Sequence, residues 1–522
     1  MEEMWRLIQQ QQRTIEELKI RLDESQGYPS VPERQVTTDL EVLERRVAEN
    51  AARLDATAEI VEQQNTGVGN TGGWWNRVAV GGYGSARFEA SGLDEQNAGF
   101  THRRFVLAVN AQPLDRLQTY LELEFERFTE LELEKGIEAG GDELEISQAI
   151  EGTNGSEISV EQAWARYVID PALQVDFGAV LVPVGRFNVN HDDNQWVLPR
   201  RTLVDRGAPV LPVTAAWTEL GAGISGSTSV GGALLDYRLY ALNGTTVDFE
   251  FENELEVAAE EGEDTELESI IEAEFGPSRG PFEGNANDSM AFAGRIGLHP
   301  APGQEIALSG YVGNYVPSFL DNDETLWSIG IDGLHHAGGF EIEYEAVATH
   351  FDGLNRIAEA FAGLTLSRER EINGTVEDGA FATHKIEFTL SSNVMATNKT
   401  GYWLEIRRPF WIDALNDTVF GRGFADPKLI PTFRMEQVFF DNQLQRIEFD
   451  GGSLTAFETR DASINRATLG LGYRPAPEWV ITLAGEYTWT GEDSLSGLTN
   501  FLAAGDSEDD NFSLLLGAAF GF

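Results

Sequence analysis

The sequence contains no cysteine. A disulfide framework, a thiolate zinc site and a cysteine nucleophile are therefore excluded. The sequence also lacks any run of about 18 apolar residues, so no segment is suited to cross a bilayer as a helix. If this chain crosses a membrane, it must do so as a closed barrel of strands, in which every backbone polar group is satisfied.

Basic residues are scarce. The chain has 37 Lys and Arg against 86 Asp and Glu, which gives a formal net charge of −49. A charge of this sign repels nucleic-acid phosphate and anionic lipid headgroups at long range. We therefore expect no nucleic-acid partner.

Motifs of the common catalytic sites are also lacking. There is no Gly-x-Ser-x-Gly, Walker A or His-Glu-x-x-His motif, and among seven histidines only His335 and His336 are adjacent, in a predicted tight turn where no metal site is expected. Gly-x-Gly-x-x-Gly occurs at 67–72, in a linker, and at 221–226, within a predicted strand, whereas a dinucleotide site needs a strand before it and a helix after it. We expect no enzymatic activity. The alternative is a hydrolase whose Ser and His share one strand face, because such a site needs no local motif.

Residues 1–66 have the heptad pattern of a coiled coil, with a break near 27–35 where Pro29 and Pro32 cannot lie in a helix interior. The seam positions are Met1, Met4, Ile8, Gln11, Ile15, Leu18 and Leu22, and then Leu40, Leu43, Val47, Asn50, Leu54, Thr57 and Val61. The polar positions Gln11 and Asn50 set register and strand number at a cost in stability. The Val47-x-x-Asn50 step resembles the stalk repeats of trimeric autotransporter adhesins and favours three strands. The alternative is an amphipathic helix packed against its own barrel.

After a Gly-rich linker at 67–76, the hydrophobic period changes to two and stays so over 77–522. Alternating segments of about ten residues recur, which is the length that a tilted transmembrane strand needs. Examples are Leu117–Phe125, Leu173–Leu181, Ala233–Ala241, Met290–Leu298, Phe340–Ala348 and Trp479–Tyr487. Tight turns, predicted at 113–116, 170–172, 300–303, 335–338 and 475–478, alternate with long polar loops. The predicted fold is all-β: a transmembrane antiparallel β-barrel of 16 strands, or 18, since the alternation is poor at 355–395 and 430–460.

The final segment alternates and ends on an aromatic residue, with Phe520 and Phe522 at its end. In this it resembles the terminal-strand signal that the outer-membrane barrel assembly machinery reads. Aromatic residues near segment ends predict interfacial girdles. They are Tyr311, Tyr315, Trp327, Tyr402, Trp403, Phe410, Trp411, Trp479, Tyr487 and Trp489.

The residues that alternate with the apolar set are expected to line a wet lumen. Many are acidic, namely Glu122, Glu124, Glu126, Asp176, Asp236, Glu341, Glu343, Glu345, Glu387, Glu405 and Glu486. Fewer are basic, namely Arg238, Arg295, Lys385 and Arg407. An acidic wall raises the local cation concentration, so we expect a channel that prefers cations.

The long connection at 185–214 carries both charges among proline and aromatic residues. Its charged residues are Asp192, Asp193, Arg200, Arg201 and Arg206. Folded inwards, such a loop would form a constriction across which opposed charges select dipolar solutes. The alternative is a surface loop at a trimer interface.

The predicted loops are more acidic still, with no Lys or Arg between Asp248 and Glu274. Calcium binding to acidic loops is one hypothesis, with Asp321, Asp323 and Glu324 as candidate ligands. The alternative is that the acidic surface only keeps the protein soluble in a salty environment. No other cofactor is expected.

From His102 to Trp217 the chain resembles the phosphate-selective porin O and P family. The likeness lies in His102-Arg103-Arg104-Phe105, Val160-Glu161-Gln162-Ala163-Trp164, Asp176-Phe177-Gly178 and Val182-Pro183-Val184-Gly185, and Asn465–Glu486 is similar to the family's penultimate hairpin. The resemblance implies a 16-stranded trimeric porin. The coiled coil is closer to relatives such as the siderophore porins and trimeric dicarboxylate-type porins. Members that select phosphate have a ladder of arginine and lysine along the pore, whereas only Arg200, Arg201 and Arg206 would form a basic patch here.

We therefore expect a homotrimeric porin in the outer membrane of a Gram-negative bacterium, in contact with lipid and lipopolysaccharide and with its coiled coil in the periplasm. No signal peptide begins the sequence, so a leader is expected to have been removed. The expected function is passive diffusion of small hydrophilic solutes and ions. The alternatives are a substrate-specific uptake porin of the anion or siderophore type, and a structural tether that binds peptidoglycan and has a plugged barrel.

Overall fold

The computed structural model describes residues 77–92, 98–140, 143–205, 209–214, 216–258, 266–280, 284–360, 383–391, 395–450, 453–491 and 510–522. The predicted coiled coil at 1–66, the linker at 67–76 and Arg206 lie outside the described residues. Among the helices of the described residues, none is long and apolar enough to cross a membrane.

The described residues form nineteen strands that belong to one sheet. Their bounds are β1 Val78–Ser91, β2 Gly99–Leu114, β3 Leu117–Gly140, β4 Glu143–Asp170, β5 Leu173–Leu181, β6 Thr218–Val230, β7 Ala233–Leu242, β8 Thr246–Ala258, β9 Glu266–Ser278, β10 Ala291–His299, β11 Gln304–Asn314, β12 Thr325–Ala337, β13 Phe340–Phe351, β14 Thr383–Ser391, β15 Ala396–Arg407, β16 Lys428–Asp450, β17 Ser453–Ala476, β18 Trp479–Thr490 and β19 Asp510–Gly521. A short helix, α1, spans Arg186–Val189, residues 354–360 are also helical, and 3-10 turns lie at Ser318–Leu320 and Asp413–Leu415.

Sixteen of these strands close into a barrel. Neighbours along the wall pair antiparallel, and β1 pairs with β19 to complete the ring. Strand β7 pairs directly with β10, and β13 pairs directly with β15, so β8, β9 and β14 lie outside the ring and extend its rim through β4 and β16. The prediction of 16 strands is confirmed, and 18 is wrong because the extra segments pair beyond the wall.

Short turns join the strands at the rim where the barrel begins and ends. At two of them paired glycines adopt positive φ, +60° and +90° at Gly231 and Gly232 and +60° and +82° at Gly338 and Gly339. Two-residue hairpin turns that match the twist of the strands need this conformation. His335 and His336 lie inside β12 rather than in the turn, so that part of the turn prediction is wrong. One longer connection on the same rim, 408–427, joins β15 to β16.

The two faces of the wall differ in chemistry. In β19 the side chains of Phe512, Leu514, Leu516 and Phe520 are exposed on the outside, as is that of Phe522 directly after it, whereas the residues that alternate with them, Asn511, Ser513, Leu515, Gly517, Ala519 and Gly521, are buried. Exposed apolar side chains recur at alternate positions of other strands, among them Leu308, Ile329, Leu404, Leu469 and Leu483. A continuous apolar outer surface of this kind matches lipid rather than water.

The prediction that aromatic residues form interfacial girdles is confirmed for some of the residues named. Trp327, Tyr402, Phe410, Trp479 and Tyr487 are exposed on the barrel, as an interfacial girdle requires. Three others point inwards and are buried, which corrects the prediction for Tyr311, Tyr315 and Trp403. The parity of Tyr311 in β11 and of Trp403 in β15 places these two side chains on the inner face. All three pack with other buried apolar side chains in one cluster.

Candidate functional site

The connection between β5 and β6, residues 182–217, is called the inner loop here because it folds into the barrel. Its apolar side chains are buried together with inward residues of the wall. They include Val182, Val184, Phe187, Trp196, Leu203, Val204, Val210, Leu211 and Trp217. A surface position would expose these side chains to water, so burial of apolar area favours the inward conformation.

The first part of the inner loop is tied to strands β11 to β13. Helix α1 begins after Gly185, whose φ of +78° favours glycine and whose added Cβ would lie 2.6 Å from Oε1 of Glu345. The backbone N–H of Phe187 donates a hydrogen bond to Oε2 of Glu345 at 3.1 Å, and Nε1 of Trp403 donates to the same oxygen at 2.8 Å. Glu345 therefore orients both the loop and an inward tryptophan.

The middle of the inner loop is tied to β1 and β2 through Asp193. Its carboxylate accepts a hydrogen bond from the hydroxyl of Ser85 and lies 3.6 Å from the guanidinium nitrogens of Arg103 and Arg201. Burial alone would raise the pKa of Asp193, but Arg103, Arg104 and Arg201 hold it well below its usual range. Asp193 is therefore ionised and serves as an anchor, while Asp192 beside it has a side chain that is 37% exposed.

The last part is held by wall arginines that bind its backbone. Nη1 of Arg434 donates to the carbonyl oxygen of Arg200 at 3.2 Å, and Nη2 of Arg466 donates to the carbonyl oxygen of Arg201 at 2.5 Å. The N–H of Leu203 donates to Oε1 of Glu436 at 2.9 Å. The inner loop is thus anchored on opposite sides of the lumen rather than along one strand.

Acidic and basic side chains form a connected series of ion pairs around the inner wall, and we call this set of residues the charge belt. Cross-strand register creates it, because Glu405 lies opposite Arg434 and Glu436 lies opposite Arg466. In order of contact its members are Asp236, Arg295, Glu305, Asp332, Arg186, Glu343, Arg407, Glu405, Arg434, Glu436, Arg466, Glu486, Arg200 and Glu89.

Two inner-loop arginines complete the charge belt. Arg186 bridges Glu305, at 2.9 Å, and Glu343, and Arg200 bridges Glu486, at 2.7 Å, and Glu89. Burying an unpaired charge is costly, and these guanidinium groups offset that cost for several carboxylates at once. The loop and the wall therefore depend on each other electrostatically.

The charge belt corrects the expected balance of lumen charges. An acidic wall opposed by few cations was predicted, whereas most of the acidic residues contact guanidinium groups. Five arginines that were absent from the predicted lumen set contact acidic side chains directly. They are Arg104, Arg186, Arg434, Arg466 and Arg166, and the last of these pairs with Asp176 at 2.6 Å. The Arg434-x-Glu436 spacing, which places both side chains on one strand face, is the signal that could have revealed the pattern.

The predicted site residues fall into three groups. Arg200 and Arg201 are buried anchors, Asp193 is an anchor whose side chain is 12% exposed, and Asp192 is partly exposed. The predicted wall residues that lie on the inner face are Glu122, Glu124, Asp176, Asp236, Arg238, Arg295, Glu341, Glu343, Glu345, Glu405 and Arg407. The side chains of Glu126, Lys385 and Glu387 lie outside the described set, as does Arg206.

The calcium candidates lie at the rim between β11 and β12. Asp323 accepts a hydrogen bond from Nδ2 of Asn314 at 2.7 Å, and the carboxylate of Glu324 is paired with the guanidinium of Arg356. Within the described residues, a different group brings metal-ligating atoms together: one atom each of Glu122, Glu161 and His191 lie within 4.8 Å of one another. Calcium binding at Asp321, Asp323 and Glu324 stays a prediction.

Comparisons with known proteins give distant likenesses. No family model matches the chain. An uncharacterized protein of Aquifex aeolicus (strain VF5) is 26% identical over 219 residues, which is 42% of this chain and 40% of that protein. The resemblance to the phosphate-selective porin O and P family therefore stays a prediction.

Three solved structures are similar over 85% of this chain. An anion-selective porin from Comamonas acidovorans is 9% identical, with 99% of that chain covered and a TM-score of 0.42. The outer membrane channel DcaP of Acinetobacter baumannii is 11% identical, with 97% covered and a TM-score of 0.38. Salmonella typhi OmpF in complex with daunomycin is 9% identical, with 97% covered and a TM-score of 0.43.

Proposed function

We propose that this protein is a porin of a bacterial outer membrane, through which small hydrophilic solutes and ions diffuse passively. The observation that carries the proposal is the closed sixteen-stranded ring with an apolar outer face and a charged inner face. A closed ring leaves no strand edge unpaired in lipid, and a polar interior suits a water-filled path. No catalytic step is part of the proposal.

The inner loop is proposed to be the constriction. It lies inside the barrel and carries Asp193 towards β1 and β2, while Arg186 reaches β11 to β13 on another part of the wall. Arg200 pairs with Glu89 of β1 and Glu486 of β18. Opposed charges across a narrow passage create a transverse field that orders water and favours dipolar solutes. This arrangement favours a restricted passage over a wide one.

A preference for cations is proposed from the charges that remain accessible. Asp192, Asp236 and Glu341 have partly exposed side chains, whereas most arginines of the charge belt are buried in ion pairs. Accessible negative charge attracts cations into a narrow pore. The mixed signs of the charge belt support a second candidate, a substrate-specific uptake porin for solutes that carry both charges.

Planar bilayers test the proposal directly. Purified folded barrel, added at low concentration, is expected to give discrete conductance steps, and a salt gradient is expected to give a reversal potential of the sign for cation preference. A reversal potential of the opposite sign would contradict the cation preference but not the proposal of a channel. Folded, inserted barrel without any steps would overturn the channel and favour the structural tether with a plugged barrel.

Assembly and location belong to the same proposal. A homotrimer, contact with lipopolysaccharide, insertion by the barrel assembly machinery and a periplasmic coiled coil that reaches peptidoglycan are predictions from the sequence. Chemical crosslinking of intact cells tests the trimer. Peptidoglycan pull-down with and without residues 1–66 tests the tether.

A further inference from the structure

One histidine and two glutamates meet where the inner loop contacts β3 and β4. Glu122 of β3, Glu161 of β4 and His191 of the inner loop each offer one ligand atom, and these atoms lie within 4.8 Å of one another. All three residues are buried, with exposed fractions of 2%, 1% and 3%. The cluster is separate from the charge belt and is not used by the proposed channel.

His191 is oriented as a metal ligand. Its Nδ1 lies 2.9 Å from the backbone oxygen of Asn188, so in the neutral ring this nitrogen carries the proton and Nε2 has the free lone pair. Nε2 makes no hydrogen bond and lies 3.7 Å from Oε2 of Glu161. That separation is too long for a hydrogen bond, but it suits two ligands of one ion, which are about 3 to 4 Å apart for bonds of about 2 Å.

The carboxylates around His191 outnumber their cations. Arg104 is shared between Glu124, at 2.8 Å, and Glu161, at 3.5 Å. Glu122 accepts a hydrogen bond from Nε2 of Gln162 at 2.5 Å, and within the described part of the chain no arginine or lysine pairs with it. A buried carboxylate in this position needs a cation or a proton, since desolvation of an unpaired charge is costly.

We propose that Glu122, Glu161 and His191 bind a divalent first-row transition metal ion that joins the inner loop to the barrel wall. Imidazole and carboxylate together suit zinc, manganese, iron, cobalt or nickel, whereas calcium and magnesium take oxygen ligands. Oδ1 of Asp192, whose side chain is 37% exposed, lies 3.9 Å from Nε2 of His191 and offers a further oxygen.

The positions of the three ligands determine which parts of the protein a bound ion would join. Two of them belong to wall strands β3 and β4, and the third belongs to the inner loop. A bound ion therefore holds the loop to this side of the barrel, as the charge belt does on the other sides. This inference goes beyond the proposed channel, which needs no metal.

Zinc binding to the full chain in detergent tests the proposal. The protein is first treated with EDTA and exchanged into buffer that contains excess Ca²⁺, which saturates acidic surface sites, and Zn²⁺ is then titrated by calorimetry. One high-affinity Zn²⁺ per chain is expected. His191→Gln and Glu161→Gln are expected to weaken binding at least tenfold.

His299→Gln is the matched control. The ring of His299 lies 2.6 Å from Asp236 elsewhere on the inner wall, and its loss is expected to leave zinc affinity unchanged. The folding of each variant is checked by heat-modifiable migration in SDS gels, in which unboiled and boiled samples are compared, and by circular dichroism. Glu122→Gln, which keeps the size of the side chain, replaces any variant that does not fold.

Electron paramagnetic resonance of bound Cu²⁺ gives a second readout, since nitrogen hyperfine coupling from one imidazole is expected and should vanish in His191→Gln. Wild-type protein without saturable zinc binding, or with the same affinity after His191→Gln, overturns the proposal and leaves His191 as a protonated partner of Glu161. Conductance is not measured in this experiment, so failure of the metal site and failure of the channel are distinguishable.

Discussion

Glu405 and Arg434 face each other across β15 and β16, with Oε2 and Nε 2.8 Å apart and both side chains buried. Nη1 of the same arginine donates to the carbonyl oxygen of Arg200 in the inner loop. One guanidinium group therefore neutralises a wall carboxylate and fixes the loop. The position of the inner loop therefore depends on the strand register that brings these two residues together.

Replacing Arg434 by methionine is expected to destabilise the barrel by about 3–5 kcal/mol, because buried acids and a loop carbonyl lose their partner. Unfolding by urea in lipid vesicles, followed by tryptophan fluorescence, measures the change. Arg77→Met is the control, because the pair of Arg77 with Asp115 is exposed and is worth at most about 1 kcal/mol. Equal effects of the two substitutions would contradict the structural role of Arg434.

Gly185→Ala is expected to lower the unfolding free energy by about 1–3 kcal/mol, since a residue with a side chain is strained at positive φ. The added Cβ would also crowd Glu345 and displace the start of α1. The same urea titration measures the change in unfolding free energy. Gly310→Ala is the control, because an added Cβ at Gly310 would lie 3.5 Å from its nearest atom, and it should lower the unfolding free energy much less. A larger loss for Gly310→Ala than for Gly185→Ala would contradict the geometry of the inner loop at Gly185.

Asp192→Asn removes a partly exposed negative charge from the inner loop without breaking an anchor. The reversal potential under a salt gradient is expected to move towards zero, because fewer cations are attracted to the constriction. EDTA is present throughout, so that metal binding does not contribute. Asp115→Asn, in an exposed turn of the rim, is the control, and an equal shift there would remove Asp192 from the constriction.

Ile329→Arg tests the outer face. Ile329 is 56% exposed within β12, and an arginine facing lipid near the middle of a membrane costs about 2–4 kcal/mol. Folding into lipid vesicles should become less favourable by that amount. Val419→Arg, in the connection 408–427, is exposed outside the wall strands and should fold as the wild type does. If Ile329→Arg leaves the free energy of folding into vesicles unchanged, Ile329 does not face lipid.

Phe522→Ala tests the predicted assembly signal. The ring of Phe522 stacks on Phe105 at 5.6 Å, and its N–H donates to the carbonyl oxygen of Gly82 at 3.0 Å. Fewer barrels are expected in the outer membrane of expressing cells, with refolding in detergent little changed. Phe512→Ala, on the same face of β19, is the control. If both variants assemble equally well, Phe522 has no special role in assembly.

Local pattern predicted much of the fold but less of the interior. The outward set of β19 follows from a period of two, because successive side chains of a strand point to opposite faces. The loop at 185–214 was recognised from its length and mixed charge. Arg434 and Arg466 were missed although the register of β16 and β17 is regular around them, since its shifts fall between Phe440 and Phe449. Their role depends on partners in neighbouring strands and in the inner loop, which a local pattern does not show.

The sequence by itself determined the class of fold: its period of two and its lack of long apolar runs leave a closed barrel as the way through a membrane. Only the tertiary structure decided which strands form the wall, since β7 pairs with β10 and β13 with β15 across long intervening segments. It also decided which charges meet, because partners such as Arg186 and Glu343 are far apart in the chain. Alternation is a local property of the backbone, whereas pairing depends on which distant surfaces ring closure brings together.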